Sequence, residues 1–184
     1  YAWAPDGRWF TLEFIGNRHD PYSDIGMVSA QGGKIINLTN SGYTSGSPRW
    51  VLDGNAILFI TERYGMSAHA SWGSLNDVML VFMNQDAYDK FRLSKEDYEL
   101  QKELEKEQKN TTEAKKNDKK KGDNKEKSEE KKEEKVKDIV VELNNIEDRI
   151  VRLTPNSSDL GSAIITKDGE TLYYLSAFEG GYDL

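Results

Sequence analysis

Short apolar runs of strand length recur through most of the chain. WFTLEF (Trp9 to Phe14), DIGMVSA (Asp24 to Ala30), AILFIT (Ala56 to Thr61), DVMLVFM (Asp77 to Met83) and TLYYLS (Thr171 to Ser176) stand out. Each carries aromatic or β-branched residues and has a Gly, Asn or Ser within the two residues before it, the pattern of strands separated by tight turns. In AILFIT both alternating sets are largely apolar: Ala56, Leu58 and Ile60 on one side, Ile57, Phe59 and Thr61 on the other. Such a strand is expected to be covered on both faces.

The runs belong to a repeat. WAPDGRWFTLEF (Trp3 to Phe14), WVLDGNAILFIT (Trp50 to Thr61) and ITKDGETLYYLS (Ile165 to Ser176) share a bulky residue, two spacers, Asp-Gly and a strand. Asp-Gly is expected to supply the positive φ angles of a tight hairpin turn. A second element, GGKIINLT (Gly32 to Thr39), matches EDRIVRLT (Glu147 to Thr154). Asp53 and Asp168 are 115 positions apart, as are Thr39 and Thr154. Two independent elements keeping one offset point to duplication rather than chance. Gly32-Gly33 turns a third strand into a fourth that ends at Leu38-Thr39. Four short strands in a unit of about 45 residues read as one propeller blade, which buries its faces only by stacking on others.

Between the second and third copies the pattern breaks. Asp86 to Gln108 reads as helix, with Ser94 and Asp97 placed as a capping box. From Lys115 to Lys135 there is no apolar residue. A stretch of this kind cannot bury enough surface to offset its ordering entropy and is expected to be a solvated excursion. It leaves after Met83 and returns by Asp138, in the turn between a third and a fourth strand. The expected fold class is therefore all-β: a β-propeller fragment of two four-stranded blades plus the start of a third, with a long charged, partly helical insertion. The expected segments are a blade at 1–46, a second blade at 47–83 with 138–160, the insertion at 84–137, and the start of a third blade at 161–184.

Composition narrows the function. The 184 residues carry 25 Lys+Arg and 32 Asp+Glu, a formal net charge of −7, which argues against nucleic-acid binding. The opposite charges of the insertion nearly cancel. Cysteine is absent, which removes thiol chemistry and disulfides. No apolar run reaches the length of a membrane span.

Candidate chemistry is sparse. No Gly-x-Ser-x-Gly elbow is present; GYTSG (Gly42 to Gly46) has the wrong spacing. Of the two histidines, His19 sits beside Asp20 and Asp24. That cluster reads either as a base or metal ligand, or as a loop histidine bonded to its turn. His69, between Ser67 and Ser71, lacks an orienting acid in sequence reach. Trp3, Trp9 and Trp50 read as packing residues. Trp72 stands outside the repeat. His19, Asp20, Arg63, His69 and Trp72 are the candidates for a channel or ligand surface. No catalytic residue, cofactor or metal site is expected in this segment.

The PDG and GG…LT cadence resembles the TolB-type propeller repeat. ERYGMSAHASWGSLNDVMLVFMNQDAYDKFRLSKEDYEL (Glu62 to Leu100), the Lys/Glu-rich insert and IEDRIVRLTP (Ile146 to Pro155) are more specific. Together they resemble the propeller region of bacterial, Bacteroidetes-like, tricorn-type serine peptidases. The resemblance implies a non-catalytic propeller that gates peptides to a protease core on the same chain, outside these residues. Its implied partners are peptide substrates, the remaining blades, that core and a second copy in a homo-oligomer. It implies a cytoplasmic setting, with a periplasmic one as the alternative. A TolB-like interaction module and the propeller of a prolyl-oligopeptidase-type enzyme are the competing readings.

Overall fold

The computed structural model describes residues 1–16, 22–67, 73–104, 138–178 and 181–184. The chain divides into two units, Tyr1–Tyr88 with Val136–Leu184, and Asp89–Lys135.

The first unit is built from three antiparallel sheets. Sheet 1 is a meander of β1 (Ala2–Trp3), β2 (Trp9–Phe14), β3 (Asp24–Ser29) and β4 (Ile36–Asn37). Sheet 2 repeats it with β5 (Ser45–Val51), β6 (Ala56–Thr61), β7 (Asp77–Phe82) and β8 (Ile150–Arg152). Sheet 3 holds β9 (Asp159–Ile165), β10 (Leu172–Phe178) and β11 (Gly181–Asp183). The long insertion lies between β7 and β8, two strands that pair with each other.

Register assigns the faces. Thr11 pairs with Met27 and Glu13 with Ile25, so these residues share one face of sheet 1. Ile57 pairs with Val81 and Phe59 with Met79 on one face of sheet 2. The two faces meet in the main core, where Ile25, Met27, Leu38, Ile57, Phe59, Met79, Val81, Met83 and Ile146 are buried together. Trp9, Ile36, Trp50, Val141 and Ile150 close its border. The opposite face of sheet 2, with Ala56, Leu58, Val78, Leu80 and Phe82, is buried as well. The alternation of AILFIT thus corresponds to a strand covered on both sides. In sheet 3, Ala163 and Ile165 are buried, whereas Ile164, Tyr173, Leu175 and Tyr182 are exposed. Trp3 departs from its expected packing role: it is 55% exposed and leans on Phe10 at 5.2 Å between ring centroids.

The three Asp-Gly turns are not one turn. In the first and third, only the glycine has positive φ, Gly7 at 68° and Gly169 at 79°. The aspartate instead accepts a backbone N–H two residues on, Arg8 N to Asp6 Oδ1 at 3.0 Å and Glu170 N to Asp168 Oδ1 at 3.1 Å. This is the Asx arrangement, and it leaves Asp in ordinary backbone space. In the second copy Leu52, Asp53 and Gly54 all lie at positive φ.

The insertion leaves through Asn84, whose Oδ1 accepts the Ala87 N–H at 2.8 Å and so caps α1 (Gln85–Phe91). Tyr88 packs edge-on against Phe82. The single helix expected over 86–108 is two helical segments. α1 ends at Phe91, and helical structure resumes at 95–104. Ser94 starts the second segment as expected: its Oγ accepts the Asp97 N–H at 3.1 Å and bonds Asp97 Oδ2 at 2.7 Å. A cap at Ser94 requires non-helical backbone there, which divides the helix. In this second unit the Tyr98 ring lies under Lys90 and Lys102, both ammonium groups within 6 Å of its centroid. Residues 105–137, including the run from Lys115 to Lys135, lie outside the described residues.

The returning stem is tightly held. Ile139 N donates to Asp6 Oδ2 at 3.0 Å, and Asp138 pairs with Arg8 at 2.7 Å. Glu142 N donates to the Met83 carbonyl at 2.7 Å. Arg149, 4% exposed, donates to the carbonyls of Phe82 (3.3 Å), Asn144 (3.0 Å) and Glu142.

Candidate functional site

The polar chemistry of the first unit collects where β2, β4, β6 and β8 end and β3 and β7 begin. Two buried carboxylates organise it. Asp24 opens β3 at 2% exposure and Asp77 opens β7 at 0%. Thr39 Oγ1 donates to Asp24 Oδ1 at 2.8 Å, and Thr154 Oγ1 to Asp77 Oδ1 at 2.7 Å. Each threonine oxygen also accepts the amide after the aspartate, Ile25 N at 3.1 Å and Val78 N at 3.2 Å. One device therefore ties the third strand to the end of the fourth in both sheets.

The copies differ in their second donor. Asn37 Nδ2 reaches Asp24 Oδ2 at 2.8 Å, and the Ser41 amide reaches Oδ1 at 2.9 Å. At the place of Asn37, sheet 2 has Arg152. Its Nε and an Nη bond Asp77 Oδ1 at 2.9 and 2.8 Å, and Ser157 Oγ donates to Asp77 Oδ2 at 2.7 Å. Asp77 is thus an anchor whose oxygens are already occupied. Ser157 is bonded to a carboxylate that its neighbours hold, which does not make it a nucleophile.

Tyr64 stands over this cluster, half exposed. The Arg152 guanidinium lies 5.1 Å from its ring centroid and that of Arg63 lies 5.7 Å away. Both guanidinium groups are thus within cation–π reach of the one ring. Met66 and Leu75 are exposed nearby in sequence, and their backbones are joined by Leu75 N to Met66 O at 2.8 Å. Gly65 permits this turn. A Cβ there would stand 2.0 Å from the Leu75 carbonyl oxygen.

Of the candidates from sequence, Arg63 is placed here, exposed and just past Glu62. Glu62 is buried and accepts the Thr44 N–H at 3.2 Å. His19, Asp20, His69 and Trp72 lie outside the described residues. The cluster of His19, Asp20 and Asp24 is therefore represented only by Asp24, whose carboxylate serves the Thr39 clamp. Among the described residues no group of His, Cys, Asp and Glu is arranged to hold a metal ion. Sequence reasoning passed over both clamps. Their signal was nonetheless present: the two third strands open on Asp and the two fourth strands run into Leu-Thr.

Among the described residues no helix is long and apolar enough to cross a membrane. No protein-family model matches the chain, and no solved structure matches it. A curated protein, the uncharacterized peptidase YuxL of Bacillus subtilis (strain 168), is 39% identical to it over 56 residues. The match takes in 30% of this chain and 8% of the relative's length. The sequence and fold thus place the chain as a mostly antiparallel β protein with a partial likeness to a peptidase.

Proposed function

We propose that the chain is a non-catalytic β-propeller segment of a tricorn-type serine peptidase, gating or channelling peptides toward a protease core outside these residues. The observation that carries the propeller is the sense in which the sheets stack. Sheet 1 covers sheet 2 with its Thr11 and Glu13 face, and sheet 2 receives it on its Ile57 and Phe59 face. By repeat position Tyr173 and Leu175 match Thr11 and Glu13, while Leu172 and Tyr174 match Ile57 and Phe59. The Tyr173 face is exposed, as it would be if every sheet covered the next in the same direction around a ring. The blades are sheets 1, 2 and 3, with residues 84–137 inserted between β7 and β8. The likeness to a peptidase supports the enzymatic setting, and the insertion between β7 and β8 with its flanks favours the tricorn type. The peptidase likeness fits a prolyl-oligopeptidase-type propeller equally well, which makes that the second reading.

The test uses the full product of the parent gene. It is expected to hydrolyse fluorogenic peptides and to take a fluorophosphonate label on a serine outside these 184 residues. A label within them, or no peptidase activity, overturns the proposal. The fold around the labelled serine separates the readings. A processing-protease core supports the tricorn type; a Gly-x-Ser-x-Gly elbow in an α/β-hydrolase domain supports the other.

A further inference from the structure

The loops at the clamp end of sheets 1 and 2 are stitched into one surface. The segment entering β3 meets the one entering β5: Ser45 N donates to the Ser23 carbonyl and Ser23 Oγ to the Ser45 carbonyl, both at 2.8 Å. The segment entering β5 in turn meets the one leaving β6. Glu62 N donates to the Thr44 carbonyl at 3.1 Å, and Thr44 N to Glu62 Oε1 at 3.2 Å. Tyr22, Tyr43 and Arg63 each adjoin one of these stitched residues, and all three are exposed. Tyr64 and Met66 continue the surface, each half exposed.

The charge of this surface runs against that of the chain, which carries −7 overall. In residues 22–23, 40–44, 62–67 and 73–76 the one acid is Glu62, and it is buried. The carboxylates that open β3 and β7, Asp24 and Asp77, are buried and already bonded. Arg63 is exposed, and its guanidinium has no carboxylate partner among the described residues. Arg152, the second guanidinium in reach of the Tyr64 ring, commits Nε and one Nη to Asp77 and Ser157. Its other Nη has no partner among the described residues.

We propose that this surface docks an extended acidic peptide. Carboxylate side chains of the peptide pair with the Arg63 fork and with the free Nη of Arg152. Tyr22, Tyr43 and Met66 meet its apolar residues. Tyrosine gives broad contact at a low entropy cost, and methionine adapts to the shape it meets. Tyr and Arg are also residue types on which binding energy concentrates. Cation–π contact with one ring restrains both guanidinium groups before the peptide arrives, which lowers the cost of ordering them. The site rests on the chemistry of these loops and not on the peptidase assignment, so each is tested separately.

The experiment uses the full product of the parent gene, treated with fluorophosphonate so that no peptide is consumed. The probe is a fluorescein-labelled Gly-Phe-Glu-Phe-Glu-Gly peptide with an amidated C-terminus, read by fluorescence anisotropy. Its partner probe has Gln in place of both Glu residues. The Glu peptide is expected to bind about tenfold tighter than the Gln peptide, the scale of one hydrogen bond between charged groups. Arg63→Ala is expected to bring the Glu peptide down to the Gln level. Tyr43→Ser is expected to weaken both peptides alike. Lys167→Ala removes an exposed charge that pairs instead with Asp53 and is expected to change neither. Absence of binding, equal binding of the two peptides, a silent Arg63→Ala or Tyr43→Ser, or a Lys167→Ala loss as large as that of Arg63→Ala would overturn the proposal.

Discussion

Replacing Asp77 by alanine tests the clamp most severely. The carboxylate is fully buried and receives Thr154 Oγ1, Ser157 Oγ and the Arg152 guanidinium, all within 2.9 Å. Removing one member of a buried ion pair costs about 3–5 kcal/mol, because the surviving charge is left uncompensated. The Arg152 side chain retains 32% exposure, so water can take over part of its solvation. The lower end applies, about 3 kcal/mol. Asp24→Ala removes a carboxylate whose donors Thr39, Asn37 and Ser41 N are all neutral. It should cost about 2 kcal/mol, the scale of lost hydrogen bonds to a charged group. Thr154→Val should also cost about 2 kcal/mol. Combined with Asp77→Ala it should cost less than the sum, since both remove the same bond. Urea denaturation followed by tryptophan fluorescence reads all four variants. With m near 2 kcal/mol/M, the Asp77→Ala midpoint falls by about 1.5 M. A shift below about a quarter of that, or strict additivity of Asp77→Ala with Thr154→Val, would refute the reasoning.

Other changes separate local causes. Arg149→Ala strips one buried and two part-buried carbonyls of their donor and should destabilise by about 3 kcal/mol. Arg149→Lys, the residue at the matching position Lys34, should recover part of it, with protease nicking near 138–145 as a second readout. Gly65→Ala forces a Cβ toward the Leu75 carbonyl and should lower the melting temperature well beyond Gly7→Ala, where nothing lies within 4 Å and only the φ of +68° is strained. Gly54→Ala adds both penalties, with φ at +88° and Ile139 Cδ1 2.4 Å from the new Cβ, and should exceed Gly7→Ala in the same thermal scan. Deleting 113–135 should leave the melting temperature within about 2 °C, since that stretch brings almost no apolar surface to a core. A larger fall would show that the stretch packs.

The sequence by itself determined the strands and their grouping. Apolar runs of strand length, the repeated Asp-Gly and Leu-Thr signals and one shared offset of 115 residues are local patterns that survive without coordinates. Ser94 and Asp97 marked a helix start for the same reason: a cap is a contact across three residues. Tertiary structure decided what depends on residues distant in sequence. Asp77 and Thr154 meet only because β7 and β8 pair across the whole insertion. The candidate residues followed residue type, favouring histidines beside acids, whereas the described site is organised by aspartates that carry no rare signature until burial and register are known. The differing turns have the same origin. Asp-Gly admits more than one turn, and the packing of Ile139 beside Gly54 is a property of the assembled sheets rather than of the two residues.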